Sequence, residues 1–397
     1  MKSTAAILAC SLLSWVPVDA RAQEPAVSSG PLLAFTATVI GTPVGSTLLF
    51  IAELDGDRVH RLRGCSATAR VVARLDRTRL VVAEPERLAI VDLATDDARE
   101  LVAGDVEFVA RHRDHVLFRE TMVDGGGRLR RVAWREPGQP EPVGDLAIGA
   151  VAVVAGNLVF ALAPDEREVF VISLVSLRSR RIWQAPEGTA SPRIALAPNG
   201  QRLAVGCVDR GFRGILQVLD VATGERLWER RDLPLDLSPL SSSQPTLEVG
   251  FEADDHVVCS ETRGDARRMV GSFVKVVRTA DTGEFVAEEE YAALGLRHEL
   301  PRPEASAPWF TVARDGERTT LHAVGTDEAL ASIARAGEQY EDIAVARPGG
   351  GYATARLGPT RREFMLFAPG RPPRKLVDGW AHGLVWLPAE GAAGGGR

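Results

Sequence analysis

An all-β propeller of four-stranded blades is the fold class this sequence predicts, and three observations predict it. A strand–turn–strand pattern recurs eight times along the chain. Most copies lie about 40 to 46 residues apart, which is the period of a four-stranded blade. Most copies also follow a second hairpin of their own. The stretch LQVLDVATGERLWERR (216–231) shows the unit. Residues 216–220 alternate as a strand does, Ala222, Thr223 and Gly224 break the pattern, and 226–230 resume it. The turn chemistry fits: Asp220 can accept from backbone N–H groups two or three residues on, and Gly224 tolerates positive φ.

Taken in order, the outer hairpins are 48–62, 88–102, 129–143, 169–183, 216–231, 274–288, 320–334 and 364–377. Inner hairpins precede most of them, at 70–84, 106–120, 151–163, 192–207, 247–260 and 342–357. The one at 192–207 turns through Asn199-Gly200, a strong hairpin signal. The unit before Thr320 is less regular. PWFTVA (308–313) supplies its second strand, and its first must come from ALGLRHEL (293–300). Ahead of Leu48 there is room for one strand only, LLAFTATVI (32–40), while GLVWLP (383–388) stands alone at the other end. Joined, they complete one blade with the C-terminal strand innermost, which closes the ring and leaves no open edge. The count is eight blades, or seven if the irregular unit is not a blade of its own.

Two insertions interrupt the period, a Ser/Pro-rich loop at 233–246 and a segment at 288–306 with room for a helical turn. Each joins an outer strand to the next inner one, on the face where propellers commonly bind ligands. The organisation is a signal peptide (1–22), a linker (23–31), the propeller (32–388) and a disordered Gly-rich tail (389–397). Lys2, the short apolar run 5–16 and the Ala20-Arg21-Ala22 site carry the export signal, with cleavage expected after Ala22. A lipoprotein reading through Cys10 fits less well, because Leu8 and Ala9 suit a lipobox poorly. No segment is long and apolar enough for a membrane span. The expected location is therefore periplasmic or secreted. In that setting Cys65, Cys207 and Cys259 allow at most one internal bridge, and the similar placement of Cys207 and Cys259 in successive repeats favours two buried thiols.

With 397 residues, 45% hydrophobic and 25% charged, the composition is that of a globular chain. A net charge of −6 argues against a nucleic-acid partner. Only three of the 47 basic residues are lysines (Lys2, Lys275, Lys375), a bias of genome composition rather than of function.

VLDVATGERLW (218–228) resembles the Trp-bearing repeat of quinoprotein-type propellers (PQQ-repeat and YVTN-type), in which a strand ending in Asp leads to a Thr-Gly turn and a terminal Trp. LAPNGQRLAV (196–205) resembles WD40-like and TolB-like blades. The resemblance implies a propeller without the cofactor pattern. Only the unit 192–231 approaches the consensus. Trp183 lacks the Thr-Gly turn, Asp281-Thr282-Gly283 lacks the Trp, and no Cys-Cys pair exists. No cofactor is therefore expected, and Trp228 is read as a packing residue between blades.

The remaining motifs weigh against catalysis. His112 and His115 in RHRDH fall at a strand-to-strand turn without a third ligand, so they read as solvated turn residues rather than a metal pair. His298, beside Glu299 in the second insertion, is a weak acid–base candidate. No G-x-S-x-G elbow is present. DGGG (124–127) lacks the Lys-Ser/Thr of a phosphate loop. The clusters RLRR, RSRR and RPPRK read as edge-protecting charge, and Glu288 to Glu290 as a solvated linker. No catalytic, cofactor-binding or metal residue is nominated. The function expected is a non-catalytic binding or scaffolding module for a protein or cell-envelope partner. The alternative is an enzyme or small-ligand receptor using the channel mouth.

Overall fold

The computed structural model describes residues 30–39, 47–53, 58–123, 126–235, 247–265 and 270–292, and beyond them the strands between Phe310 and Leu387. Among the described residues there are thirty strands and no helix. The strands form antiparallel sheets in simple meander order. Numbered from the N-terminus, blades 2 to 6 are each four strands consecutive in sequence, spanning 70–103, 106–148, 150–184, 190–234 and 249–292. The strands of 310–335 form a three-stranded sheet, blade 7, which contains PWFTVA from Phe310 onward. The strand expected from 293–300 lies outside the described residues.

The two chain ends meet in one sheet. The last strand, Arg374–Leu387, pairs first with Arg362–Phe367 and then with Leu32–Val39. The change falls between Asp378, paired with Glu363, and Gly379, paired with Val39. One continuous strand thus serves as the outer strand of blade 8 and the inner strand of blade 1, where the sequence suggests two separate segments. With this pairing the described residues form eight blades, seven of them four-stranded.

The apolar residues do not gather in one central core. They fill the seams where successive blades stack face to face. Leu32, Ile51, Val71 and Val82 fill the seam between blades 1 and 2, and Leu88, Ile90, Phe118 and Trp134 that between 2 and 3. Leu117, Leu129, Val159 and Ile172 join blades 3 and 4. Strand alternation divides each central strand between two seams. In blade 5, Leu203, Val205, Cys207 and Ile215 face blade 4, while Ala204, Leu216 and Val218 face blade 6. That is why RLAVGCV and the strand after it are apolar almost throughout, whereas the outer strand Arg226–Pro234 is largely exposed. Burial on both faces demands it.

Candidate functional site

The most regular local structure is the turn from the third to the outer strand. In blade 5, Asp220 Oδ1 accepts from the backbone N–H of Ala222 and of Thr223, both at 2.9 Å, and from the Thr223 hydroxyl. The Gly224 N–H donates to the Asp220 carbonyl at 2.8 Å, with Gly224 at φ +77°. Asp92 in blade 2 and Ser173 in blade 4 open turns of the same form, and the fifth residues, Asp96 and Leu177, are also left-handed. In blade 6 the opening residue is Thr279, not Asp281. The Thr279 carbonyl accepts from Gly283 and its hydroxyl from the Glu284 N–H.

In blades 3, 5 and 6 the segment that follows the third strand is tied to the blade before it. Arg99 of blade 2 donates to the Trp134 carbonyl of blade 3 at 2.6 Å. Arg180 of blade 4 donates to the carbonyls of Val221 and Ala222 in blade 5. Trp228 of blade 5 donates its indole N–H to the Ala280 carbonyl of blade 6 at 2.8 Å. Trp228 therefore packs between blades, as expected, and arginines fill the same role elsewhere. Trp183 spans the seam at mid-height, donating to buried Gln217, whose amide donates to Glu229. Burial works to raise the Glu229 carboxyl, but hydrogen bonds from Gln217 and Arg231 and the charge of Arg226 outweigh it and hold it below the usual carboxylate range.

Between the turns of blades 4 and 5 lies an open groove of about 690 Å³, within the size range of ligand pockets. Leu158, Val171 and Val221 form its apolar floor; Arg178, Ser173, Ser176, Ser179 and Gln201 stand around it. Arg202 crosses one end, paired with Asp220 at 2.7 Å and with Asp281 at 2.8 Å. A different feature marks the perimeter. Leu227, Phe285 and Val286 are exposed on the outer strands of blades 5 and 6, with Phe285 at 56%. Leu227 and Val286 each stand three residues after the turn glycine of their blade.

His112 corrects one expectation. It is half-buried, and its Nε2 lies 3.1 Å from Oδ1 of Asn157 in blade 4, so it bridges two blades instead of standing in solvent. Asp114 pairs with Arg135 at 3.1 Å. Among the described residues no three His, Cys, Asp or Glu side chains converge as a metal site would need. Cys65, Cys207 and Cys259 are free thiols, Cys207 and Cys259 buried in different seams. Glu288 to Glu290 belong to the strand Phe285–Ala292, not to a linker. The basic clusters lie on separate blades, and each has a member in an ion pair: Arg130–Glu120, Arg181–Glu168 and Lys375–Asp378. His298 and most of both insertions lie outside the described residues.

This sheet order and seam packing define a β-propeller. No protein-family model matches the chain, and no curated protein matches it. Among solved structures, the dihydro-heme d1 dehydrogenase NirN is similar at a TM-score of 0.56 and 14% identity, over 90% of this chain and 76% of that one. A eukaryotic initiation factor is similar at a TM-score of 0.50 and 10% identity, over 91% and 99%. TolB from Acinetobacter baumannii is matched at a TM-score of 0.37 and 13% identity, over 67% of this chain and 64% of that one, just under two thirds of its length. At such identities the likeness is one of fold alone.

Proposed function

We propose that this protein is an exported binding propeller that holds a protein partner of the cell envelope along the outer edge of blades 5 and 6. One observation carries the reading: Leu227, Phe285 and Val286 are exposed on the outer strands of successive blades, Leu227 and Val286 at the same distance after their turn glycines. An outer strand also presents unpaired N–H and C=O groups, which an extended segment can pair with. Glu284 is exposed beside the apolar residues on the blade 6 edge, so the segment that fits is apolar with a lysine or arginine beside it. The export signal read in 1–22 supports a partner in the periplasm or outside the cell.

The test is site-specific photo-crosslinking in the native envelope, with a photoreactive phenylalanine analogue at position 285 and, as a control, at Val175, which is exposed on blade 4. A single reproducible adduct from position 285, absent from position 175 and lost on Val286→Asp, supports the reading. Equal adducts from both positions, or none, overturn it.

A further inference from the structure

We propose that the groove between blades 4 and 5 is a binding site for a small oxyanion carried on an apolar body, such as an aryl or alkyl carboxylate. The argument is a count of donors and acceptors. Asp220 is the carboxylate of the groove, and its Oδ1 is occupied by Ala222 and Thr223, its Oδ2 by Arg202. The carbonyls of Val221 and Ala222 accept from Arg180. The lining's acceptors are thus largely used within the fold.

The donors are not. Ser173 Oγ accepts from the Ser176 N–H at 3.1 Å, and Ser176 Oγ from the Arg178 N–H at 3.4 Å, so each hydroxyl proton is still available to donate. The Ser179 hydroxyl, the Gln201 amide and the Arg178 guanidinium make no side-chain hydrogen bond or ion pair among the described residues, and all three border the groove. Ser179 and Gln201 can accept as well as donate, so charge decides: with the groove's carboxylate engaged by Arg202 and the Arg178 guanidinium unpaired among the described residues, the site selects an acceptor-rich, negatively charged group. Leu158, Val171 and Val221 beneath it select an apolar body for the remainder of the ligand. Arg202, held between Asp220 and Asp281, fixes the end wall rather than the charge.

The site stands apart from the perimeter edge of blades 5 and 6, and its test does not depend on the protein partner. Purified mature protein is titrated with benzoate, phenyl phosphate, benzamide and inorganic phosphate by ligand-observed NMR and calorimetry. Benzoate or phenyl phosphate should bind with a Kd of about 1 mM or tighter, and comparing the two tells which oxyanion is preferred. Benzamide, which lacks the charge, and inorganic phosphate, which lacks the apolar body, should each bind at least about tenfold more weakly. Arg178→Gln should reduce benzoate or phenyl phosphate affinity by about tenfold at unchanged thermal midpoint, and Arg193→Gln, outside the groove, should leave it unchanged. No binding by either aryl anion, equal binding of benzamide, equal binding of inorganic phosphate, or an affinity indifferent to Arg178→Gln overturns the proposal.

Discussion

Trp228 of blade 5 lies directly over Gly283 of blade 6. A Cβ placed on that glycine would come within 2.7 Å of the indole Cδ2, and Gly283 itself sits at φ +71°. A retreat of the ring would pull on its hydrogen bond to the Ala280 carbonyl. Gly283→Ala should therefore cost the left-handed strain of about 1 kcal/mol and, on top of it, a repacking cost of about 1–3 kcal/mol. Gly200→Ala is the matched control: its φ is +74° with nothing within 4 Å, so only the strain of about 1 kcal/mol applies. Urea unfolding of both variants checks this, and equal losses would mean that Trp228 is not seated on the turn.

Asp220 and Arg202 give the second expectation. Asp220→Ala removes the acceptor for Ala222 and Thr223 and frees one side of Arg202, a loss of about 2 kcal/mol. The Thr223 N–H chiefly holds the Asp220 carboxyl below its ordinary value of 3.8, with Ala222 and Arg202 adding to it against the effect of burial. A depressed folded pKa means stability that is present above 3.8 and lost as pH falls through the folded value. The acid limb of a stability–pH curve should therefore be shallower in Asp220→Ala than in the parent. Identical limbs would remove the turn from acid unfolding.

The repeat itself was legible because its physics is local. Alternation, turn residues and the period of the hairpins are all written within single units, and Asp220-Val221-Ala222-Thr223-Gly224 carries its turn in five residues. What joins units was harder to read. Arg99, Arg180 and Trp228 do one job with two chemistries, and only their pairing to the third strand, opposite the residue two before the turn opens, brings them into one column. In blade 6 the Asp281-Thr282-Gly283 string marks the turn, and the residue that opens it, Thr279, is set by the third strand. The groove escaped the sequence altogether. Arg178 and Gln201 come from different blades and become neighbours only when two sheets stack.

The thiols predict an alkaline limit. Burial chiefly pushes Cys207 up to about 11 and Cys259 up to about 12 from an ordinary 9.0. A raised folded pKa gives stability that is whole below about pH 9 and lost as pH rises toward those values, because only the unfolded chain ionises there. Thiol titration at pH 8 should find Cys207 and Cys259 unreactive in the folded protein and reactive in denaturant. Cys259→Ala should flatten the stability curve above pH 9. Rapid reaction of both buried thiols under native conditions would contradict their place in the seams.

His112 and Asn157 tie blades 3 and 4 across 3.1 Å and predict the opposite dependence near neutrality. Burial lowers the His112 pKa from its ordinary 6.5, and the charges of Arg113, His115 and Arg131 lower it further against the hydrogen bond to Asn157. The folded protein thus holds a neutral imidazole where the unfolded chain would already take a proton. Stability from this group is present above pH 6.5 and falls as the solution is acidified through the folded value. His112→Asn should remove that part of the pH dependence. It should also leave Asn157 without its ring partner, at a cost of about 1 kcal/mol. NMR titration of the imidazole checks the direction: a His112 midpoint at or above 6.5 would mean that burial and the neighbouring positive charges do not govern the ring.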